Sequence, residues 1–289
     1  MRASSGQLRT RDGVRLPTRA WLPDAAGSER ATVVVVHGLG EHVGRHDGLA
    51  TRLVRAGYAV HGYDQRGHGY APGPRAQVRR FEQFIDDLSD FVAGLSRERP
   101  LILFGQSMGG IVALRAVQTG AVAPSGLVLS SPALRDGVEV PRWVRGLLTR
   151  VAEVRPGVPT VALDTSALSR DPEEVAAYRL DPAVFHGPIK GRIGSETVRH
   201  GRLALAEADR VGAPLLIVHG KSDRIALPGA SGELQRTLHG RDATLHLYDD
   251  GPHELFHDPL RERVTDDVLA WLDERAPSRI SAARRPAAP

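Results

Sequence analysis

The feature that most limits how this chain can fold is a decapeptide at residues 101–110, LILFGQSMGG. A short apolar run leads into a Gly-x-Ser-x-Gly pentapeptide, and an apolar, helix-compatible segment follows over residues 111–117. This order predicts a strand, a sharp turn and a helix, with Ser107 held at the turn in a strained conformation. Gly105 and Gly109 supply room, because a Cβ at either position would crowd the crossing of strand and helix. Ser107 is therefore a candidate nucleophile, although the pentapeptide alone also fits a Gly-rich helix entry with a serine N-cap.

Strand-like and helix-like segments alternate on both sides of this decapeptide. The run at residues 31–36 is apolar and rich in β-branched residues, which suits a strand buried on both faces of a parallel sheet. Asp12 and Gly13 predict the tight turn of a hairpin over residues 7–22. Further strands are predicted at residues 58–63, 126–130, 213–218 and 243–248, and helices at 43–56, 81–95, 228–239 and about 260–272. The alternation predicts an α/β protein with a mostly parallel sheet flanked by helices.

This alternation stops between residues 132 and 205, where helical pieces are separated by Pro and Gly. We therefore expect a first core part at residues 1–131, an inserted helical cap at 132–205 and a second core part at 206–276. The tail at residues 277–289 is rich in Ala, Arg and Pro, a composition typical of disorder.

Composition and charge exclude several classes of function. The formal net charge is +4, and nearly all of the basic charge is arginine, which favours anionic membranes or substrates. No basic block is interleaved with aromatic residues, which argues against nucleic-acid binding. The chain has no cysteine, so thiolate catalysis and Cys-ligated metals are excluded. Residues 1–13 lack the apolar core of a signal peptide and no apolar run reaches about 18 residues, which predicts a cytoplasmic protein.

A serine hydroxyl becomes a useful nucleophile only with a base in hydrogen-bond reach, and that base needs an orienting acid. Ser107, Asp223 and His253 each follow a predicted strand, and the carboxyl ends of parallel strands gather at one rim of a sheet. Their order along the chain is nucleophile, acid, base, as expected for a serine placed on such a strand–turn–helix elbow. The alternatives are Asp249 or Asp250 as the acid and His257 as the base.

The oxyanion formed during acyl transfer needs backbone N–H donors. The residue after the nucleophile, Met108, is expected to supply one donor. The loop His37-Gly38-Leu39-Gly40 after the first buried strand is expected to supply the other, from Leu39. The alternative is that this loop is only a Gly-rich turn.

Several motifs, taken together, resemble the monoacylglycerol lipases of the serine-hydrolase group that also contains lysophospholipases and is labelled serine aminopeptidase S33. The motifs are His37-Gly-Leu-Gly-Glu41-His42 with Gly44-Arg45, Asp64-x-Arg66-Gly67-His68-Gly69, Gly105-x-Ser107-Met108-Gly109-Gly110, Ser131-Pro132-Ala133 and His219-Gly220-x-x-Asp223-Arg224. The resemblance covers roughly residues 8–275. It departs at Gln106, where the family usually has His, and at Tyr70-Ala71-Pro72, where small polar residues are usual.

The resemblance implies the α/β-hydrolase fold with a helical cap. It implies that Ser107, Asp223 and His253 are nucleophile, acid and base, with Leu39 and Met108 as the oxyanion donors. It also implies that Glu41 and Arg45 help to form the pocket for a glycerol head group; the alternative for these two is a surface ion pair at the start of a helix.

One apolar helical stripe lies within the predicted cap, with arginines on the other helix faces. Its members are Val140, Trp143, Val144, Leu147, Leu148 and Val151, and the arginines are Arg142, Arg145 and Arg150. The stripe, and Trp143, Leu147 and Val151 in particular, either packs as the roof of an acyl channel or also contacts a membrane surface. Transient peripheral contact with a membrane is the second of these alternatives.

Taken together, the sequence predicts hydrolysis of a carboxylic ester, with the resemblance favouring a monoacylglycerol that is cleaved to glycerol and a fatty acid. The alternatives are a lysophospholipase or a broad carboxylesterase and, less favoured, an aminopeptidase or a non-catalytic binding protein. No metal or organic cofactor is implied, so chelators are expected to leave the activity unchanged. The substrate is a lipid ester, and the oligomeric state is not predicted.

Overall fold

The structure is a computed structural model of the 289-residue chain, and it describes residues 1–25, 27, 29–137, 146 and 150–275. The strands are β1 Arg2–Arg9, β2 Arg15–Leu22, β3 Thr32–Val36, β4 Ala59–Tyr63, β5 Leu101–Gln106, β6 Gly126–Ser130, β7 Leu215–Gly220 and β8 Ala243–Tyr248. The α-helices that lie wholly within the described residues are α1 Asp47–Arg55, α2 Glu82–Ala93, α3 Met108–Gln118, α4 Pro172–Leu180, α5 Gly191–Ala206, α6 Pro228–Thr237 and α7 Arg261–Arg275.

The strands form one sheet in the order β1-β2-β4-β3-β5-β6-β7-β8. β1 and β2 are antiparallel to each other and β2 is antiparallel to β4, whereas the strands from β4 to β8 pair in parallel. The prediction of a mostly parallel sheet flanked by helices is therefore confirmed. The predicted hairpin is longer than expected, since β1 begins at Arg2, where mainly polar residues pair with β2 through backbone hydrogen bonds.

The β-branched run of β3 explains why this strand lies in the middle of the sheet. All of its residues are buried. Val34 and Val36 pack into the apolar layer that contains the residues of α2 and α3, while Val33 and Val35 pack into the layer on the other face with α1 and α7. Alternate side chains of a strand point to opposite faces, so a run without polar positions is stable only where both faces are covered.

The chain between β6 and β7 contains α4 and α5. In the described part of this segment there is no strand, and Pro159 and Lys190 form an isolated bridge within it. α5 packs against α3, and its residues Ile193 and Ala204 belong to the main apolar core. The division into core and cap at residues 132 and 205 stays a prediction.

Most of the predicted apolar stripe, including Trp143 and Leu147, lies outside the described residues, as do Arg142 and Arg145 and the tail after residue 275. Val151 is described, and 37% of its surface is exposed. Among the helices of the described ranges, none has both the length and the apolar character needed to cross a bilayer.

Gly109→Ala is expected to destabilise the protein by about 3 kcal/mol or more. A Cβ at this position would overlap the backbone carbonyl oxygens of Val36 and His37, which cannot move without distorting β3. Gly48→Ala in α1 is the matched control, because a Cβ there meets no atom within 4 Å. That change should be neutral or stabilising by up to about 1 kcal/mol. Thermal or urea unfolding of both variants measures the difference, and equal stability of the two would contradict the tight crossing.

Candidate active site

The Gly-x-Ser-x-Gly segment forms a sharp turn between β5 and α3. Ser107 has φ 52° and ψ −117°, a conformation that is uncommon for a residue with a Cβ. Its N–H donates to Ser130 O at 3.0 Å, and its carbonyl accepts from Gly110 N at 3.0 Å. The flanking strand and helix therefore hold Ser107 in the strained conformation that the sequence predicts.

Three side chains from separate loops meet at this turn in one hydrogen-bonded chain. His253 Nε2 lies 2.9 Å from Ser107 Oγ, and His253 Nδ1 lies 2.7 Å from Asp223 Oδ2. Asp223 and His253 are both buried. The distances suit proton transfer from the serine hydroxyl to a base whose other nitrogen is held by a carboxylate.

The two alternative acids, Asp249 and Asp250, are exposed, and the alternative base has another partner. Asp249 is exposed and pairs with Lys221 Nζ at 2.6 Å. His257 Nδ1 lies 3.1 Å from Glu174 Oε2, a residue of α4. Asp223 and His253 are thus the acid–base pair that the structure brings to Ser107.

Hydrogen bonds and charge keep Asp223 ionised. Burial opposes its ionisation, but the charge and hydrogen bonds of His253 and His219 outweigh burial and hold the pKa of Asp223 far below its usual range. Its Oδ1 also accepts from the N–H groups of Ile225 at 2.8 Å and Ala226 at 3.0 Å. For His253 burial favours the neutral ring, but Asp223 outweighs it and raises the pKa of His253 above the ordinary histidine value.

The pH dependence of kcat/KM is expected to follow this raised pKa. A protonated His253 cannot accept the proton of Ser107, so activity is present above the pKa of His253 and is lost as the pH falls through it. The acid limb should therefore lie above about 6.5, the ordinary histidine value. Rates on para-nitrophenyl butyrate between about pH 5 and pH 9 measure it. A limb clearly below the ordinary value would mean that Asp223 does not stabilise the imidazolium.

The loop after β3 lies beside the nucleophile. A Cβ added to Gly38 would lie 2.8 Å from Glu41 Oε1 and 3.2 Å from Ser107 Cβ, so a larger residue here would displace one of these two side chains. His37 Nε2 accepts from the N–H of Gln65 at 2.9 Å, and burial lowers the pKa of His37 to about 4, so this ring is a neutral support for the loop. The two predicted oxyanion donors, Leu39 and Met108, both line the cavity above Ser107.

Glu41 and Arg45 form an ion pair, as the alternative reading expected, but the pair is buried. Arg45 Nε lies 3.3 Å from Glu41 Oε2, and Arg45 Nη2 lies 2.5 Å from Glu254 Oε2. The guanidinium also stacks 4.6 Å from the centre of the Tyr178 ring. Glu41 Oε1 accepts from Gly38 N at 2.5 Å, which ties the carboxylate to the loop. Glu41 and Glu254 line the cavity, whereas Arg45 is not among the described residues that line it.

Ionisation of Glu41 is favoured by its neighbours. Burial opposes it, but the imidazole of His46 and the guanidinium of Arg45 outweigh burial and hold the pKa of Glu41 well below its usual range. Two carboxylates thus share one guanidinium beside His253.

A cavity of about 990 Å³ opens onto Ser107 and His253, a size at the upper end for small-molecule sites. Much of its wall comes from residues 160–203, between β6 and β7. The apolar members there include Leu163, Leu168, Phe185, Ile189 and Leu203. Sequence reasoning did not identify these residues, because they follow no single helical or strand period. Val151, from the predicted stripe, is not among the described residues of the wall.

Residues 164–186 are tied to the loops of the site. Phe185 N donates to Gly40 O at 2.7 Å, and Glu254 N donates to Leu168 O at 2.8 Å. His42 Nε2 lies 2.8 Å from Asp181 Oδ2. The segment therefore contacts both the loop that carries Leu39 and the loop that carries His253.

In the described ranges, one group of His and carboxylate side chains is close enough to hold a metal ion: Glu82, Glu196 and His200. Arg199 Nη2 lies 3.0 Å from Glu82 Oε1, 2.9 Å from Glu196 Oε2 and 2.8 Å from His200 Nε2. A guanidinium already occupies the space between these groups, so the cluster is an ion-pair network.

Two residues to which the sequence analysis assigned no role contact the site. His219 lies on Asp223, and Glu254 holds Arg45. The only signal for His219 was its place in the His-Gly-x-x-Asp motif, and the only signal for Glu254 was that it follows His253. Gln106 donates from Nε2 to His253 O at 3.4 Å and so supports the loop that carries the base.

Residues 27–260 match the model of the family described as serine aminopeptidase, S33. A monoacylglycerol lipase of Mycolicibacterium smegmatis is 37% identical over 90% of this chain and 93% of its own, and a monoglyceride lipase of Rattus norvegicus is 32% identical over 94% and 90%. The crystal structure of a Paleococcus ferrophilus monoacylglycerol lipase superposes with a TM-score of 0.80 at 31% identity, covering 95% of this chain and 100% of that one.

Proposed function

The chain belongs to the serine aminopeptidase S33 family of α/β-hydrolases, and we propose that it hydrolyses monoacylglycerols to glycerol and free fatty acids. The observation that carries the proposal is the apolar cavity of about 990 Å³ that ends at the hydrogen-bonded chain Ser107–His253–Asp223. A mainly apolar cavity of this size takes a long acyl chain, and Ser107 and His253 lie in its wall, where the ester would be held.

The proposed reaction is acyl transfer through Ser107. Ser107 Oγ attacks the ester carbonyl while His253 Nε2 takes its proton, and the N–H groups of Leu39 and Met108 stabilise the oxyanion. His253 then gives the proton to the departing glycerol oxygen. A water molecule, deprotonated by His253, releases the fatty acid by the same steps in reverse order.

The groups around the alcohol side favour a neutral, hydroxyl-rich leaving group. Glu41 and Glu254 line the wall beside His253 and share the guanidinium of Arg45. Carboxylate oxygens accept hydrogen bonds from hydroxyls, and they repel a phosphate. We therefore propose that Glu41 contacts the glycerol head group directly and that Arg45 holds the two carboxylates in place.

We further propose that residues 132–205 form a cap through which the lipid enters, with transient contact to a membrane surface. The wall formed by residues 160–203 and the ties of Phe185 and Leu168 to the loops of the site support the cap. The basic composition of the chain supports contact with anionic lipid.

A lysophospholipase is the second candidate, because the same cavity is lined in part by arginines that suit a phosphate. They are Arg192, Arg199, Arg202 and Arg224. Arg192, Arg199 and Arg224 each pair with a carboxylate, which reduces the charge they offer to a ligand.

The proposed function is tested by measuring glycerol and fatty acid released from monooleoylglycerol, together with labelling by a fluorophosphonate probe. Equal molar release and probe labelling that is competed by the substrate are expected. Binding of the lipid without release of either product and without labelling would identify a non-catalytic binding protein.

A further inference from the structure

Asp223, the acid of the proposed triad, contacts a second histidine, which takes no part in the proposed reaction. His219 lies near the end of β7, and none of its side chain is exposed. Its ring lies between Asp223 and Ser231, which belongs to α6. His219 is therefore buried against the same Asp223 carboxylate that holds His253, and it can change how that carboxylate acts on the base.

The hydrogen-bond partners fix which nitrogen of His219 carries the proton. Nε2 lies 3.1 Å from Asp223 Oδ2 and 3.0 Å from Ala226 O, and both of these atoms are acceptors. Nε2 is therefore the donor. Nδ1 lies 2.7 Å from Ser231 Oγ, whose hydroxyl can donate to it. A neutral ring with its proton on Nε2 satisfies every one of these contacts.

This assignment completes the bonds of the Asp223 carboxylate. Oδ1 accepts two backbone N–H groups, from Ile225 and Ala226, while Oδ2 accepts from His253 Nδ1 at 2.7 Å and from His219 Nε2. With donors on both oxygens the carboxylate cannot rotate, and Oδ2 stays aimed at His253.

We propose that His219 is a positioning residue of the hydrolase, which donates from Nε2 to the Asp223 oxygen that also holds His253. The inference rests on the proposed function, since it concerns the acid of that same triad. A second donor on Oδ2 stabilises the anion and lowers its basicity, so Asp223 draws the proton of His253 less strongly. Without that donor the imidazolium is favoured, and less of the base is in the neutral, active form at a given pH.

The test compares variants at position 219 that differ in where they can donate. The Gln amide nitrogen can reach the place of Nε2, whereas Leu has no donor and Asn is too short to reach Asp223. His219→Leu is expected to lower kcat/KM roughly ten- to a hundredfold, as for loss of a hydrogen bond to a charged group. It should also raise the acid limb of the pH profile by about half a unit or more. His219→Gln should lose only about threefold with the limb unshifted.

A shift of the acid limb can be assigned to the change at position 219, because the other charges near His253 stay the same. Besides Asp223, the groups that act on the His253 ring are Glu254 and Glu41. Neither is altered in these variants. If His219→Leu fails to fold, His219→Asn takes its place, with the same expected loss and shift. A Leu or Asn variant with an unshifted limb, or a Gln variant as impaired as Leu, would overturn the positioning role.

A second background separates action through Asp223 from a general effect on the fold. In the Asp223→Asn variant, His219 no longer has a carboxylate to which it can donate. Adding His219→Leu to that variant should therefore lower kcat/KM by less than about a further threefold. An equal loss in both backgrounds overturns the inference.

Wild-type and Ser107→Ala protein are assayed first on the same ester. If they hydrolyse it equally, the proposed function fails and the inference falls with it; if only wild type is active, the variants at position 219 decide the inference alone.

Discussion

Ser107→Ala is expected to lower kcat for ester hydrolysis by about 10⁶, because the variant has no oxygen to form the acyl-enzyme. Ser107 Oγ lies 2.9 Å from His253 Nε2, and the substitution removes this atom. Alanine keeps the Cβ, and its backbone can continue to donate to Ser130 O. The fold and the lipid-binding cavity should therefore remain, and the thermal unfolding midpoint should change little.

The matched control for this change is Ser169→Ala. Ser169 is buried, and its hydroxyl donates to His257 O at 2.7 Å, outside the hydrogen-bonded chain of Ser107 and His253. It should lower activity no more than a few fold, through a modest loss of stability. Activity of Ser107→Ala within tenfold of wild type would contradict nucleophilic catalysis by this residue.

Asp223→Asn is expected to lower kcat by about 10⁴. Two backbone N–H groups, from Ile225 and Ala226, point at Oδ1, so the amide oxygen of Asn would take that position. Its NH₂ group would then face Nδ1 of His253. That nitrogen would have to accept, which moves the ring proton to Nε2, where it faces Ser107 and blocks its role as the base.

Asp249→Asn is the control, because Asp249 was the alternative acid and its side chain is 83% exposed in a pair with Lys221. An exposed ion pair contributes little, so this variant should keep activity within about twofold. Steady-state kinetics of the two variants measure the difference. If Asp223→Asn kept its activity and Asp249→Asn lost it, Asp249 would be the acid instead of Asp223.

Much of the fold could be predicted from the sequence because local patterns decide it. The β-branched run of β3 requires cover on both faces, and the small residues around Ser107 permit one kind of strand–helix crossing. The start of β1 could not be predicted, since its residues are exposed and mainly polar, and backbone pairing alone holds them.

In the candidate site, too, some residues could be predicted from the sequence and others could not. Ser107, Asp223 and His253 could be named because each follows a strand in a fixed order. The contacts of Arg45 with Glu254 and of His42 with Asp181 could not, because they join residues 209 and 139 positions apart and depend on how loops pack. The residues that line the cavity could not be predicted for a related reason. They come from irregular segments, so they show no helical or strand period in the sequence.

Competition between two lipid esters decides whether this hydrolase acts preferentially on monoacylglycerols. Monooleoylglycerol and oleoyl lysophosphatidylcholine carry the same acyl chain and differ only in the group on the alcohol side. With Glu41 and Glu254 beside His253, kcat/KM should favour monooleoylglycerol by about tenfold or more, the effect of about 1.4 kcal/mol of repulsion against the phosphate. Equal values, or a preference for the lysophospholipid, would contradict the proposed function and assign the cavity to a lysophospholipase.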